Sequence, residues 1–232
     1  MSEQEIEREA ETFRKHAPLL YDLLLSHVLE WPSLSVDWVP LKGHAPHGES
    51  DCTRHRCMLG TQTDQDTENS VLIYDVLLPG LESTVDARVF QDESQREYGG
   101  YGDAKSKISL YQRVLHRGDV HRVRACPHDM NVLATLSSTG KAHVFDTRKL
   151  RLRPLKEDMP APTHTLNAHT CDSYGLDWHP RIDNLLLTAG GDGYAHVFEL
   201  SQMRKKEHQQ VEPMASFQVR GGLNDAQCVS CP

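Results

Sequence analysis

No run of eighteen apolar residues occurs in the 232-residue chain, so no membrane-spanning helix is expected. Its opening, Met1-Ser-Glu-Gln-Glu5, is acidic where a secretory signal is basic and then apolar. Also missing are a glycine-rich phosphate loop, a nucleophile elbow and closely paired metal-binding histidines, and with them the usual signs of an enzyme. The six cysteines form no tight framework, which points to a reducing intracellular compartment. A net charge of −8 argues against an unspecific nucleic-acid binder and suits a basic partner. With 38% hydrophobic and 25% charged residues, the chain has the make-up of a soluble globular protein, long enough for one large domain or two small ones.

What is present is a repeat. His116-Arg-Gly-Asp119-Val recurs 53 positions later as His169-Thr-Cys-Asp172-Ser, and the same offset carries Cys126-Pro127 onto His179-Pro180 and Val144-Phe-Asp146 onto Val197-Phe-Glu199. Short strands are expected between these landmarks at Val120–Ala125, Val132–Leu136 and Ala142–Phe145. Units of this period, each too small to bury its own face, predict blades of a β-propeller.

Residues 1–29 read as an N-terminal amphipathic helical segment ahead of a partial propeller over 30–232. Ser2 and Glu5 have capping-box spacing. Ile6, Ala10, Phe13, Ala17, Leu20 and Leu24 fall on one helical stripe. Pro18 is expected to end or kink the first helix near His16 and to start a second piece. Leu20–Leu25 then covers a sheet edge, while the Ile6/Phe13 portion either docks likewise or protrudes to receive a partner helix. Pro32 stops the helical run. Blades are expected at about 33–115, 116–167 and 169–219. The first has strands at Ser33–Pro40, Arg56–Thr63, Val71–Leu78 and Lys107–Leu115, and its Trp38-Val-Pro40 matches Trp178-His-Pro180. Outer strands of the next two are expected near Pro162–Asn167 and Met214–Val219. A fourth blade starts at 224–232, with Val229 at the place of Val123 and Leu176.

The blocks Ala17-Pro-Leu-Leu-Tyr-Asp-Leu23 and Leu29-Glu-Trp-Pro-Ser-Leu34, supported by Leu59-Gly-Thr-Gln-Thr63, Glu97-Tyr-Gly-Gly-Tyr-Gly102 and Ser173-Tyr-Gly-Leu-Asp-Trp178, closely resemble the histone-binding WD-repeat proteins. These are the retinoblastoma-binding proteins and the small subunit of chromatin assembly factor one. The resemblance implies an all-β, seven-bladed WD-repeat propeller with an N-terminal α-helix, of which three blades and the start of a fourth are present; the chain therefore reads as truncated. It implies binding rather than catalysis, no cofactor or metal, and a nuclear protein with some cytoplasmic pool. Its partners would be histones H3 and H4 and the subunits of chromatin-assembly, deacetylase or methyltransferase complexes. An H4 helix would meet Ile6, Glu9, Ala10 and Phe13, flanked by Thr12, with Phe13 standing where the family often has tryptophan. Basic tails would meet an acidic channel at Glu30, Asp119 and Asp172, with His121, Arg122 and Tyr174 beside them. Independently of the family, Asp119 and Asp172 hold one place in consecutive repeats, so blade geometry carries them to one rim, where carboxylates attract Lys and Arg. The bland alternative is that such acids cap turns.

The chain departs from the family pattern. The usual Trp-Asp ending is Phe145-Asp146 and Phe198-Glu199, and only the third blade keeps a hydrogen-bonded set, His169, Thr188 and Asp192, read as structural. Cys228-x-x-Cys231 and the Cys52, His55, Cys57 trio lack the convergent four ligands of zinc. Basic clusters at Arg148–Lys156 and Arg204–Lys206 read as solvated loops without aromatic interleaving. A non-histone WD-repeat adaptor, such as a ubiquitin-ligase substrate receptor or a ribosome-assembly factor, fits the blades but leaves the helix and Leu29–Leu34 unexplained.

Overall fold

The computed structural model describes residues 2–21, 23–41, 52–64, 66–79, 107–155, 161–200 and 209–228. The expectations for Glu97–Gly102, Lys156, Arg204–Lys206, Val229 and Cys231 lie outside them. Two compact units are present: residues 1–30, 43–55 and 75–109, and residues 31–42, 56–74 and 110–232.

The first unit opens with helix α1, Glu3–Leu20. Ser2 caps it as its spacing predicts, its backbone N–H donating to Glu5 Oε2 at 2.7 Å while its hydroxyl accepts from the Glu5 N–H at 3.4 Å. The helix does not stop near His16. Pro18 sits in the last turn, where only one carbonyl loses its donor, and Tyr21 closes the helix on the Ala17 carbonyl at 2.9 Å. The expected second helical piece is absent among the described residues. Leu19 and Leu20 are exposed, and 23–26 is half-buried non-helical chain with one bridge at Leu24. Tertiary surroundings, not the apolar stripe, end the helix.

The second unit carries a partial WD-repeat propeller of antiparallel sheets. Strands β1 (Ser33–Trp38), β2 (Cys52–Thr61), β3 (Asn69–Pro79) and β4 (Lys107–His116) form the first sheet in that order. The second contains β5 (Val120–Ala125), β6 (Val132–Ser137), β7 (Ala142–Asp146) and β8 (His164–Leu166). The third contains β9 (Ser173–Trp178), β10 (Leu185–Gly190), β11 (Tyr194–Glu199) and, outermost, β13 (Ala215–Gln218). One strand is a surprise: β12 (Gln209–Val211) leaves the third sheet and pairs parallel to β8 as a fifth member of the second.

Cores lie between consecutive sheets rather than within one. Val39, Met58, Val71, Ile73 and Val114 of the first sheet pack with Val120, Val123, Leu133 and Phe145 of the second. Leu136, Val144 and Leu166 of the second pack with Leu176, Trp178, Leu186 and Phe198 of the third. Each fully buried aliphatic or aromatic side chain contributes about 1.5–3 kcal/mol, so every sheet depends on its neighbour.

Candidate functional site

The inner strands β1, β5 and β9 lie side by side and are joined through side chains rather than a ladder. Ser35 Oγ accepts the Val123 N–H at 3.1 Å, Asp37 Oδ2 accepts the Ala125 N–H at 2.9 Å, and the Trp178 indole donates to the Arg124 carbonyl at 3.2 Å. Asp177 repeats the role of Asp37 by accepting the Cys228 N–H at 2.8 Å. A further inner segment, extended rather than strand, therefore follows along 224–228. Its register corrects the expectation from sequence: Cys228 stands where Ala125 and Trp178 stand, so Ala226, not Val229, takes the place of Leu176. Gly175 permits this approach, since a Cβ there would lie 2.7 Å from Ala189 Cβ and 3.0 Å from the Ala226 nitrogen.

The expected channel residues gather at the starts of these strands. Asp119 and Asp172 each directly precede an inner strand, and β5 and β9 are neighbours running the same way. His121 stacks on Tyr174, centroids 4.5 Å apart and planes 10° from parallel, and its Nδ1 lies 3.3 Å from the Ser173 carbonyl. Arg122 donates from Nε to the Tyr174 carbonyl at 2.8 Å and reaches across the Gly175 strand to Asp225 at 3.0 Å. Asp119 is half-buried and accepts from Asn69 Nδ2 at 3.0 Å, while the Ser138 hydroxyl accepts its backbone N–H at 3.2 Å. Asp172 is exposed, and its carboxylate has no partner among the described residues; its carbonyl accepts the Gly191 N–H. Glu30 is exposed and belongs to the first unit. Sequence reasoning missed Asp225 and its pairing with Arg122, a contact spanning 103 positions with no local pattern to announce it.

On α1, Ile6 and Phe13 are 51% and 42% exposed. Seven residues apart, they share a face, with half-buried Ala10 between them. Glu9 and Thr12 are exposed and, with Glu5 and Arg8, line a shallow recess on the helix.

The histidines are structural. His169 Nε2 meets Thr188 Oγ1 at 3.0 Å and Nδ1 meets Asp192 at 3.0 Å, as the sequence predicts. Burial pushes the imidazole pKa down against the opposing pull of Asp192. Burial raises the Asp192 carboxyl, but the N–H groups of Thr170 and Tyr194, with His169, outweigh it and hold the carboxyl below its ordinary value. The second blade keeps more of this set than expected: His116 Nε2 meets Thr135 Oγ1 at 2.9 Å. With Thr139 at the place of Asp192, His116 Nδ1 turns to the Gly118 carbonyl at 3.1 Å instead.

Among the described residues no group of three or more His, Cys, Asp or Glu could hold a metal. His55 of the cysteine–histidine trio lies 3.1 Å from the Thr53 hydroxyl. In the basic loop, Arg148 is occupied by Asp146 and Asp129 at 2.8 and 3.0 Å. At the other ends of the inner strands a recess of about 240 Å³ is lined by Val39, Met58, Ile73, Met130 and Leu133, beside Arg56, which lies 3.5 Å over the Tyr111 ring.

Residues 8–80 match a family model that describes the histone-binding protein RBBP4 and its counterpart in the CAF1 complex. A Mycosarcoma maydis protein, histone acetyltransferase type B subunit 2, is 32% identical over 218 residues, covering 90% of this chain and 49% of that relative. The chain thus spans about half the length of the curated relative it matches. Among solved structures, a chain of the Chaetomium thermophilum Polycomb Repressive Complex 2 is similar at 13% identity with a TM-score of 0.44, covering 85% of this chain and 46% of that one. A chain of the apo complex in an autoinhibited state is similar at 13% identity and 0.45, with the same coverages. By the family model and the curated relative together, the likeness to the histone-binding WD-repeat family is shown.

Proposed function

We propose that this chain is a histone-binding scaffold of the nucleus, with some cytoplasmic pool, serving chromatin-assembly or histone-modifying complexes by binding rather than by catalysis. Its partners are H3 and H4. The observation that carries the proposal is a capped helix, in the region where the family match begins, that keeps Ile6 and Phe13 exposed on one face. Large apolar groups held in water on an ordered helix are poised to meet an amphipathic helix. Ile6, Glu9, Ala10 and Phe13 form the helix contact, with Glu9 available to a basic residue of the partner. Asp119 and Asp172, with His121, Tyr174 and Glu30, receive basic tails. The net charge of −8 favours encounter with such partners.

The test is binding of a fluorescent H4 helix peptide to Phe13→Asp. Losing one buried aromatic contact costs roughly 2–3 kcal/mol, so affinity falls by about two orders of magnitude. Circular dichroism stays unchanged because Phe13 is exposed in the unbound chain. Undiminished binding rejects the helix contact.

A further inference from the structure

The surface that remains unexplained is one face of β1. Leu34, Val36 and Trp38 alternate along the strand and are 53%, 60% and 58% exposed, while Ser35 and Asp37 between them are engaged with β5. Large apolar side chains at every second position of a strand form a face that another layer normally covers. The repeat says which layer. Val36 and Trp38 hold the places of Leu176 and Trp178 on β9, which are only 1% and 5% exposed because the second sheet covers them. Thus β1 presents the receiving half of a blade-to-blade contact.

The giving half of the same contact sits at the opposite end of the row. Residues 224–228 lie along β9, fixed by the Asp177–Cys228 bond, and Asn224, Asp225 and Gln227 are exposed. This segment stands to β9 as β9 stands to β5, so it is an inner strand of the type and register that β1 requires. Inner strands meet through side chains, which excludes simple edge-to-edge ladder pairing as the mode of contact.

We propose that two copies of this chain associate head to tail, the Leu34–Val36–Trp38 face of one seating on the 224–228 segment of the other. The geometry of β5 with β9 carries over directly: the Trp38 indole meets the Gln227 carbonyl as Trp178 meets that of Arg124. A heterologous contact of this kind closes into a ring when its rotation allows and otherwise propagates.

The test is the mass of the 232-residue chain by sedimentation equilibrium over about a hundredfold concentration range. The wild type sediments at twice 26.2 kDa or more. Leu34→Lys with Val36→Lys sediments at 26.2 kDa with an unchanged dichroism spectrum. Phe217→Lys, equally exposed but on outer strand β13, associates as the wild type does. Should the double variant not fold, Val36→Thr, which keeps the shape and β-branching, weakens association about tenfold. A monomeric wild type, undiminished association of the β1 variants, or dissociation by Phe217→Lys overturns the proposal.

Discussion

Acidification should loosen the second blade through one residue, His116. The ring is buried, with its two nitrogens placed against the Thr135 hydroxyl at 2.9 Å and the Gly118 carbonyl at 3.1 Å. A neutral imidazole protonated on Nδ1 satisfies both. Burial pushes its pKa down to about 4, against the opposing pull of the Gly118 and Arg117 carbonyls. The unfolded chain binds the same proton near 6.5. Above that pH the ring is neutral in both states and its stabilising contribution is fully present. As pH falls, the unfolded state takes up a proton that the folded state refuses, and stability is lost at about 1.4 kcal/mol per unit until the folded pKa is passed. The whole effect is roughly 3 kcal/mol. Urea unfolding of the wild type and of His116→Gln at a series of pH values reads it out. The variant is the less stable at neutral pH, and the gap narrows by about 2 kcal/mol between pH 6.5 and 5. His143, held down to about 4 by burial and then by His116, contributes its own slope to both proteins. Two curves that fall in parallel refute the reasoning, because they would mean that His116 is protonated equally in both states.

Gly140→Ala should be costly, since the backbone has φ 73° and a Cβ would lie 2.5 Å from the His169 carbonyl oxygen; thermal unfolding should report a loss of about 2–3 kcal/mol. Gly221→Ala has φ 100° but open space around the added carbon, so its loss is the smaller, about 1 kcal/mol. Asp119→Lys with Asp172→Lys should lower the affinity of an arginine-bearing tail peptide at least about a hundredfold, at roughly 1.5–3 kcal/mol per charged hydrogen bond. Fluorescence anisotropy at two salt concentrations measures it, and unchanged affinity with intact dichroism rejects the assignment.

The blades were legible because their contacts use residue types that recur with the repeat. Trp38 and Trp178, each preceded by an aspartate, share one offset pattern, and Asp37 and Asp177 prove to do the same work, each receiving an N–H from the next inner segment. His169, Thr188 and Asp192 were readable for the same reason. What escaped reading was set by tertiary context. The apolar stripe of α1 continues through Leu24, yet the helix stops at Leu20, because periodicity records which face is apolar and not whether anything is there to cover it. The β12 strand is three residues long and pairs parallel to a strand far away in sequence, below any local signal. The register of 224–228 misled because its fixed point is a backbone N–H, which has no residue type.

The mouth formed by the strand starts is not the uniform acidic ring that matching Asp119 with Asp172 suggests. Arg122 lies within it and already engages Asp225, and Asn69 already donates to Asp119. A cation arriving there finds one exposed carboxylate without a partner among the described residues, Asp172, two positions along the strand from the Tyr174 ring stacked on His121. A flat aromatic surface near a carboxylate suits a planar guanidinium, which stacks and bonds at once, better than a compact and strongly hydrated ammonium. Arg122 shows the compatibility of this place with a guanidinium, since it lies against the Tyr174 carbonyl at 2.8 Å. The repeat therefore supplies the position of the acids, while the residues that differ between repeats, Arg122 against Gly175 and His121 against Tyr174, set which basic side chain that position prefers.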